Sequence, residues 1–451
     1  MRNGSPLTAR FDTAETHPVA WTGLHGSSTA LALIAAAQAS DTVTLVIMRS
    51  SHQARVLERD LGLLRTAELP VLHFPDRETL PYDPFSAHPD IVAERLAALA
   101  AVAGLERGIL VLPITTLAQR LAPRSHVLGT RFDLVPGQRL ALEPFRERLL
   151  LSGYEACDQV YQSGQFAVRG SVVDVFPTGL KAPVRIDLFD EEIESLRLFD
   201  PESQRSAETL DTLNLAPARE YPCDTAAFEA FRRAFRYRFA VDTRQVPLYQ
   251  DLRQGTHPQG LEQYLPLFFE DTEHLLDYLP RAPRLVLQDG VEAALSAFWE
   301  QVEDRWEQRR HDTERPILEP RELFYSPAET LGFCIDLPQV RLAPGPLRGA
   351  VQQAFDTEPP PEVHLHERGH QPAAALQAFL EDYPGRVLFA ADTPGRREFL
   401  ADTLSAFDIR PPRFESWEAF LAASDHRGLA VLPLETGFRV GDELAILTES
   451  E

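Results

Sequence analysis

Residues 164–200, GQFAVRGSVVDVFPTGLKAPVRIDLFDEEIESLRLFD, decide how this chain is organised. They predict a β-meander of three strands, with one turn at Pro177, Thr178 and Gly179 and an acidic turn at Asp190, Glu191 and Glu192. Over residues 184–189 a period of two places Val184, Ile186 and Leu188 on one face and Arg185, Asp187 and Phe189 on the other. Phenylalanine is out of place on a polar face. An exposed aromatic beside an arginine is the composition of interface anchors, whereas a solvated face more often carries Thr, Lys or Glu. The alternative is a strand covered on both faces within its own domain.

Outward from this stretch, 451 residues exceed one hydrophobic core and predict about three domains. There is no apolar run near the ~20 residues that span a bilayer, and no charged start with an apolar core like that of a secretory signal. A cytoplasmic location with no membrane partner is therefore expected. Cys157, Cys223 and Cys334 are far apart and odd in number, which speaks against a disulfide framework or a thiolate metal site. The formal net charge of -23 argues against a nucleic-acid platform, though it leaves room for a local basic patch. Lys181 is the single lysine, so cationic chemistry rests on arginine.

From the N-terminus the pattern is α/β. Residues 22–28 read as a turn, 29–39 as an Ala/Leu-rich helix and 43–48 as a strand, the opening of a nucleotide-binding unit. The phosphate-loop pattern counted from Gly23, with Gly26 inside the turn, requires a glycine, a lysine and a hydroxyl residue in succession. The chain has Ser28, Thr29 and Ala30 there. The lysine for the phosphates and the hydroxyl for magnesium are both missing, so ATP hydrolysis by this loop is not expected, although a helix N-terminus can still attract an anion.

Helices at 53–64, 90–102 and 115–121 alternate with apolar stretches at 70–74 and 108–113, predicting a parallel sheet with helices on its faces. Asp90 reads as the start of its helix. The rhythm breaks near residue 130, and residues 131–217 read as an inserted module containing the meander. Aromatic-rich helices follow around 227–239, then a strand at 284–287 and a long helix from 291. After that strand, where a working ATPase places its magnesium-holding acidic pair, stand Gln288, Asp289 and Gly290.

The segment 344–346, PGP, and the proline run 359–361 bound a linker, residues 347–361. Strands at 363–366, 386–390, 429–434 and 444–447, with helices between them, predict a small doubly wound α/β domain over 362–451. The sequence closes directly after a strand, which leads us to expect an N-terminal piece of a longer protein. The expected order is thus 1–130 first part of an ATPase-like domain, 131–217 inserted module, 218–346 second part, 347–361 linker and 362–451 terminal domain.

Other candidates are weaker. His364, His366 and His370 have a spacing that can suggest zinc, but no further ligand completes a shell and a polar strand face explains the first two. Carboxylate pairs at 190–192 sit in a turn where solvated charge is the default. No nucleophile arrangement stands out, and no cofactor or metal is expected.

Three phrases carry a family resemblance: residues 78–86, ETLPYDPFS; residues 164–177; and residues 185–197, RIDLFDEEIESLR. Together they resemble the N-terminal region of the bacterial transcription-repair coupling factors (Mfd), which is itself similar to UvrB. The resemblance implies a degenerate, P-loop helicase-like parallel-sheet domain split by a β-rich α+β module and followed by the small α/β domain. It accounts for the dead phosphate loop. The long hairpin by which UvrB engages DNA has no room between Tyr82 and Asp90, so DNA loading is not expected.

It further implies that the inserted module binds UvrA through two arginines and an aromatic residue. By motif these fall on Arg169, Arg185 and Phe189, with Arg169 less secure because Gly170 can mark a bulge. RNA polymerase and double-stranded DNA would be partners only through regions beyond residue 451. Two functions follow: a catalytically silent module that recruits UvrA to stalled transcription, or an ATP-dependent DNA-remodelling subunit with a divergent nucleotide site.

Overall fold

The computed structural model describes residues 4–11, 18–66, 68–129, 131–363 and 373–449. Its centre is a seven-stranded, wholly parallel sheet whose strands lie in the order Val351–Ala354, Val19–Thr22, Gln339–Leu342, Arg284–Gln288, Val43–Met48, Gly108–Pro113, Val71–His73. VTLVIM and GILVLP are continuous apolar runs because both faces of the central strands are covered, and every residue in them is buried. Helix Ser51–Leu64 begins where Ser50 Oγ accepts the Gln53 N–H at 3.3 Å. It buries Ala54, Leu57, Leu61 and Leu64, a stripe at helical spacing. Helix Pro89–Val102 is capped by His88 rather than started by Asp90, with Pro89 in its first turn.

The inserted module leaves and rejoins this domain through one narrow neck. Phe132–Leu134 pairs antiparallel with Leu213–Leu215, so the two connections lie side by side. Just past the neck, Glu220 is clamped by Arg77 and by Arg95, whose Nε donates to Glu220 Oε1 at 2.9 Å. Arg95 is fully buried, its other nitrogens donating to the Pro75 carbonyl and to Gln119 Oε1. Burial alone would raise Glu220, but the two guanidiniums more than offset it and hold the carboxyl at about 2.

Above the neck stands a six-stranded sheet in the order Ser206–Thr209, Glu192–Phe199, Val184–Phe189, Val172–Val175, Gln165–Arg169, Glu155–Ala156. The predicted first strand of the meander is in fact two. Gln165–Arg169 and Val172–Val175 form a hairpin closed by Gly170 and Ser171, with Gly170 at φ 62. A two-residue turn with glycine first suits the twist of antiparallel strands, and that requirement, not a bulge, explains Gly170. Helix Leu142–Leu151 buries Phe145 and Leu149 against Val173, Val175, Val184, Ile186 and Leu188. This core covers one face of the sheet.

The expected linker at 347–361 is not a free connector. Val351–Ala354 is an edge strand of the central sheet and Thr357–Glu358 an edge strand of the terminal sheet, so consecutive residues belong to two domains. The terminal sheet runs Thr357–Glu358, Phe438–Val440, Leu444–Thr448, Arg386–Ala391, Arg427–Val431, Arg413–Phe414. Helices Ala374–Asp382 and Pro394–Ser405 contribute Leu376, Leu380 and Leu404 to the core on one face.

The other face departs from a self-contained doubly wound domain. Leu388, Ala390, Ala430, Leu444 and Ile446 share a single core with Leu31, Leu57 and Leu61 of the first domain, closed by Trp417 and Phe420 of helix Trp417–Ala422. The helices Ser28–Gln38 and Ser51–Leu64 therefore serve two sheets at once. His364, His366 and His370 lie outside the described residues, as does most of the strand expected at 363–366.

Candidate functional site

The outer face of the inserted sheet, opposite its core, is built by the alternation read from the sequence. Val184, Ile186 and Leu188 are buried, Arg185 and Asp187 are half-buried, and Phe189 is 71 % exposed. Strand register extends this face sideways: Ala167 pairs with Asp174, Asp174 with Arg185 and Arg185 with Arg197, while Arg169 pairs with Val172 and Val172 with Asp187. Arg169, Arg185 and Phe189 thus stand on one surface. Arg169 keeps its register beside Gly170, and its side chain turns to Asp174.

Asp174 organises this surface. Its carboxylate is 1 % exposed, receives Arg185 Nε at 2.7 Å and Nη2 at 2.9 Å, and is also bonded by Arg169. Two parallel N–H donors on one carboxylate fix the guanidinium plane. This bond to Asp174 keeps Arg185 above the ordinary arginine value. Arg185 also lies over the Phe199 ring, 4.6 Å from its centroid, with Gln204 along its edge. It is only 18 % exposed, against 49 % for Arg169.

A second pair repeats the pattern. Asp187 accepts Arg197 Nε at 3.1 Å and Nη2 at 2.5 Å, and Ser195 Oγ at 2.8 Å. The face therefore offers three arginines against two aspartates, with an uncovered phenylalanine at its end. It is a preset, nearly neutral polar plate with one apolar knob, suited to a protein partner and carrying no acid–base or nucleophilic geometry. Asp174, Asp187 and Arg197 were not singled out from the sequence, because acids on an outer strand face default to solvation. Only Asp174, a carboxylate between valines in VVDV, gave any signal.

The loop before helix Ser28–Gln38 has a different character. Gly23 and Gly26 have φ 72 and 52, as a tight turn requires. The close approach they allow is to protein, however. A Cβ on Gly23 would lie 2.5 Å from the Phe355 carbonyl oxygen, and one on Gly26 would lie 2.6 Å from that of Gly437.

Several of the loop's donors are occupied. Ser27 N–H and Oγ donate to the Thr436 carbonyl at 3.4 and 3.2 Å, and His25 N–H donates to Ser28 Oγ and Thr357 Oγ1 at 2.9 and 3.0 Å. Thr357 in turn donates to the Gly23 carbonyl at 2.5 Å. Ala30 is buried and Thr29 partly so. Backbone from the terminal domain thus takes the Ser27 donors and packs against Gly26.

A cleft of about 530 Å³ remains beside this loop at the carboxyl ends of the strands, lined in part by Asp60, Asp289 and Glu435. Burial, with Glu435 adding to it, raises Asp60 to about 6 despite the Ser27 hydroxyl and Arg59. Gln288, at the place of the acidic pair, accepts the Arg49 N–H at 3.0 Å. Arg49, His52 and Gln53 also line this cleft, but no lysine stands at the loop itself.

Among the described residues no helix is long and apolar enough to cross a membrane. Residues 132–221 match the model of the UvrB interaction domain, and residues 379–451 match that of the MFD D3 domain. The transcription-repair-coupling factor of Haemophilus influenzae is 35% identical over 420 residues, 92% of this chain and 36% of the relative. That of Escherichia coli is 37% identical over 385 residues, 84% of this chain and 33% of the relative. The chain thus spans about a third of the length of these relatives. With a match to the UvrB interaction domain inserted in a parallel α/β domain and a match to the MFD D3 domain after it, the chain is similar to about a third of the length of the transcription-repair-coupling factors.

Proposed function

We propose that this chain is a recruitment module, catalytically silent in itself, that binds UvrA through the outer face of its inserted sheet and so brings nucleotide excision repair to stalled transcription. The observation that carries this reading is the placement of Arg169, Arg185 and Phe189 on one uncovered surface, with Phe189 71 % exposed at its end. In the complex Phe189 fills an apolar pocket of UvrA, Arg169 offers its exposed guanidinium to a carboxylate, and Arg185 holds the plate in shape through Asp174. RNA polymerase and double-stranded DNA, the partners proposed for a longer protein of this family, would be engaged by regions outside residues 1–451, and translocation would belong there too.

Silence at the nucleotide loop is supported by its missing lysine and hydroxyl, by the Thr436 carbonyl on its donors and by Gln288 at the acidic position. A titration of the chain against UvrA, with ATPase activity followed in the same samples, tests the reading. Phe189→Ala is expected to weaken binding by about 1–3 kcal/mol, as does loss of an interface anchor, and no ATP turnover is expected. Unchanged affinity in both Phe189→Ala and Arg169→Ala would sink the assignment of this face, and measurable turnover would favour the ATP-dependent alternative.

A further inference from the structure

The helix Thr225–Arg238 and the segment carrying Thr243–Gln245 and Pro247–Arg253 enclose a groove of about 480 Å³ on the second part of the parallel-sheet domain. Glu229, Arg232, Arg233 and Arg236 form one stripe at three- and four-residue spacing on the first wall; Arg244 and Arg253 line the second. Five arginines in one concavity, on a chain of formal net charge -23, concentrate cations where the sequence as a whole disfavours them.

Internal partners do not account for this concentration. Arg244 is held by Asp242, Arg232 approaches Glu229 at 4.0 Å, and Arg236 donates to the Tyr249 hydroxyl. Among the described residues no ion pair engages Arg233 or Arg253, and both are exposed. Four residues beyond Arg233 on the same helix stands Tyr237, 95 % exposed.

We infer that this groove binds the phosphodiester backbone of a single nucleic-acid strand, with a base stacked on Tyr237. The walls supply guanidinium donors that match phosphate oxygens in pairs, and the exposed ring supplies the sequence-tolerant π-face that single-strand binders use. The exposed ring favours a single strand, whose bases are free to stack on it, over a duplex, whose bases are already stacked on one another. An acidic peptide would satisfy the charge, but the lining contains no aliphatic side chain against which its own apolar groups could be buried. The site is separate from the UvrA-binding face proposed above and independent of it.

The test uses the full chain and a fluorescein-labelled 12-nucleotide single-stranded DNA of mixed sequence, followed by anisotropy from low to moderate salt. The matching duplex and poly-glutamate serve as competitors. Binding is expected with a log–log salt slope of about -2, corresponding to roughly three phosphates. The double substitution R233E/R253E should weaken it about tenfold or more with thermal melting unchanged, Lys at both positions should retain most of it, and Tyr237→Ala should weaken it about fivefold. No binding by the unaltered chain at low salt, equal affinity in R233E/R253E, or more effective competition by poly-glutamate than by unlabelled single strand would each overturn the inference.

Discussion

Two regions of this chain have the outline of a binding site, and they have met opposite fates. The loop at residues 23–30 keeps the glycines and the helix start of a phosphate cradle, yet Thr357, Thr436 and the Phe355 and Gly437 carbonyls have closed on it. On the outer face of the inserted sheet the polar groups are paired with one another, Phe199 is covered by Arg185, and Phe189 is left uncovered. A vacated site is recognised by what fills it. A docking face is recognised by polar groups already satisfied around an apolar group that is not.

The largest effect should come from the domain that closes the loop. Phe420→Ala, in the core shared by two sheets, should destabilise the chain by about 3–5 kcal/mol in denaturant titration. It should also lower the transition of the first domain. If the first domain unfolds at its original midpoint, the terminal domain is an appendage and the closed-loop half of the comparison fails.

On the open face, Arg185→Ala should cost about 2–4 kcal/mol of stability, because the buried Asp174 carboxylate is left with Arg169 alone. The family resemblance names Arg185 and Phe189 together as contacts; their burial separates them, 18 % exposed against 71 %. Weakened UvrA binding in Arg185→Ala is therefore interpretable only alongside a melting curve.

Asp60 tests the closed loop through pH. Its folded value of about 6 lies above the ordinary 3.8, so the stability it confers is complete below 3.8 and lost as pH rises through 6. Asp60→Asn should stabilise the chain by about 1–2 kcal/mol at pH 7 and by little at pH 4. A flat difference between the two pH values would show that the carboxyl is not held in that environment.

Thr357→Val, which removes the hydroxyl bonded to Gly23, should cost about 1 kcal/mol. Smallest for folding is Phe189→Ala, expected within about 0.5 kcal/mol of the parent because the ring is exposed. The sharpest form of the comparison is this last pair: a loss of stability at the closed loop, and a loss of UvrA affinity without loss of stability at the open face.

Much of this was legible in the chain itself. VTLVIM and GILVLP announce buried parallel strands, Thr29 leaves the phosphate-loop pattern without its lysine, and the alternation from Val184 to Phe189 sorts one strand into two faces. Less was legible where the deciding partner is distant in sequence. Gly170 and Ser171 form a hairpin turn that splits a predicted strand, and nothing local distinguishes that glycine from one at a bulge until its strands pair. Residues 347–361, rich in proline at one end, read as a connector because single edge strands have too short a pattern to announce themselves.

The sequence by itself determined the parallel sheet, the interruption by a β-rich module, the absence of the phosphate-loop lysine and hydroxyl at Thr29 and Ala30, and the side of the strand on which Arg185 and Phe189 lie. These depend on local spacing and residue chemistry, which the chain carries with it. Only the tertiary structure decided that Asp174 commits Arg185, that the terminal domain completes the core of the first, and that five arginines from three helical elements meet across one groove. Those outcomes depend on residues brought together from positions up to several hundred apart, where burial and charge pairing are properties of the fold and not of any segment.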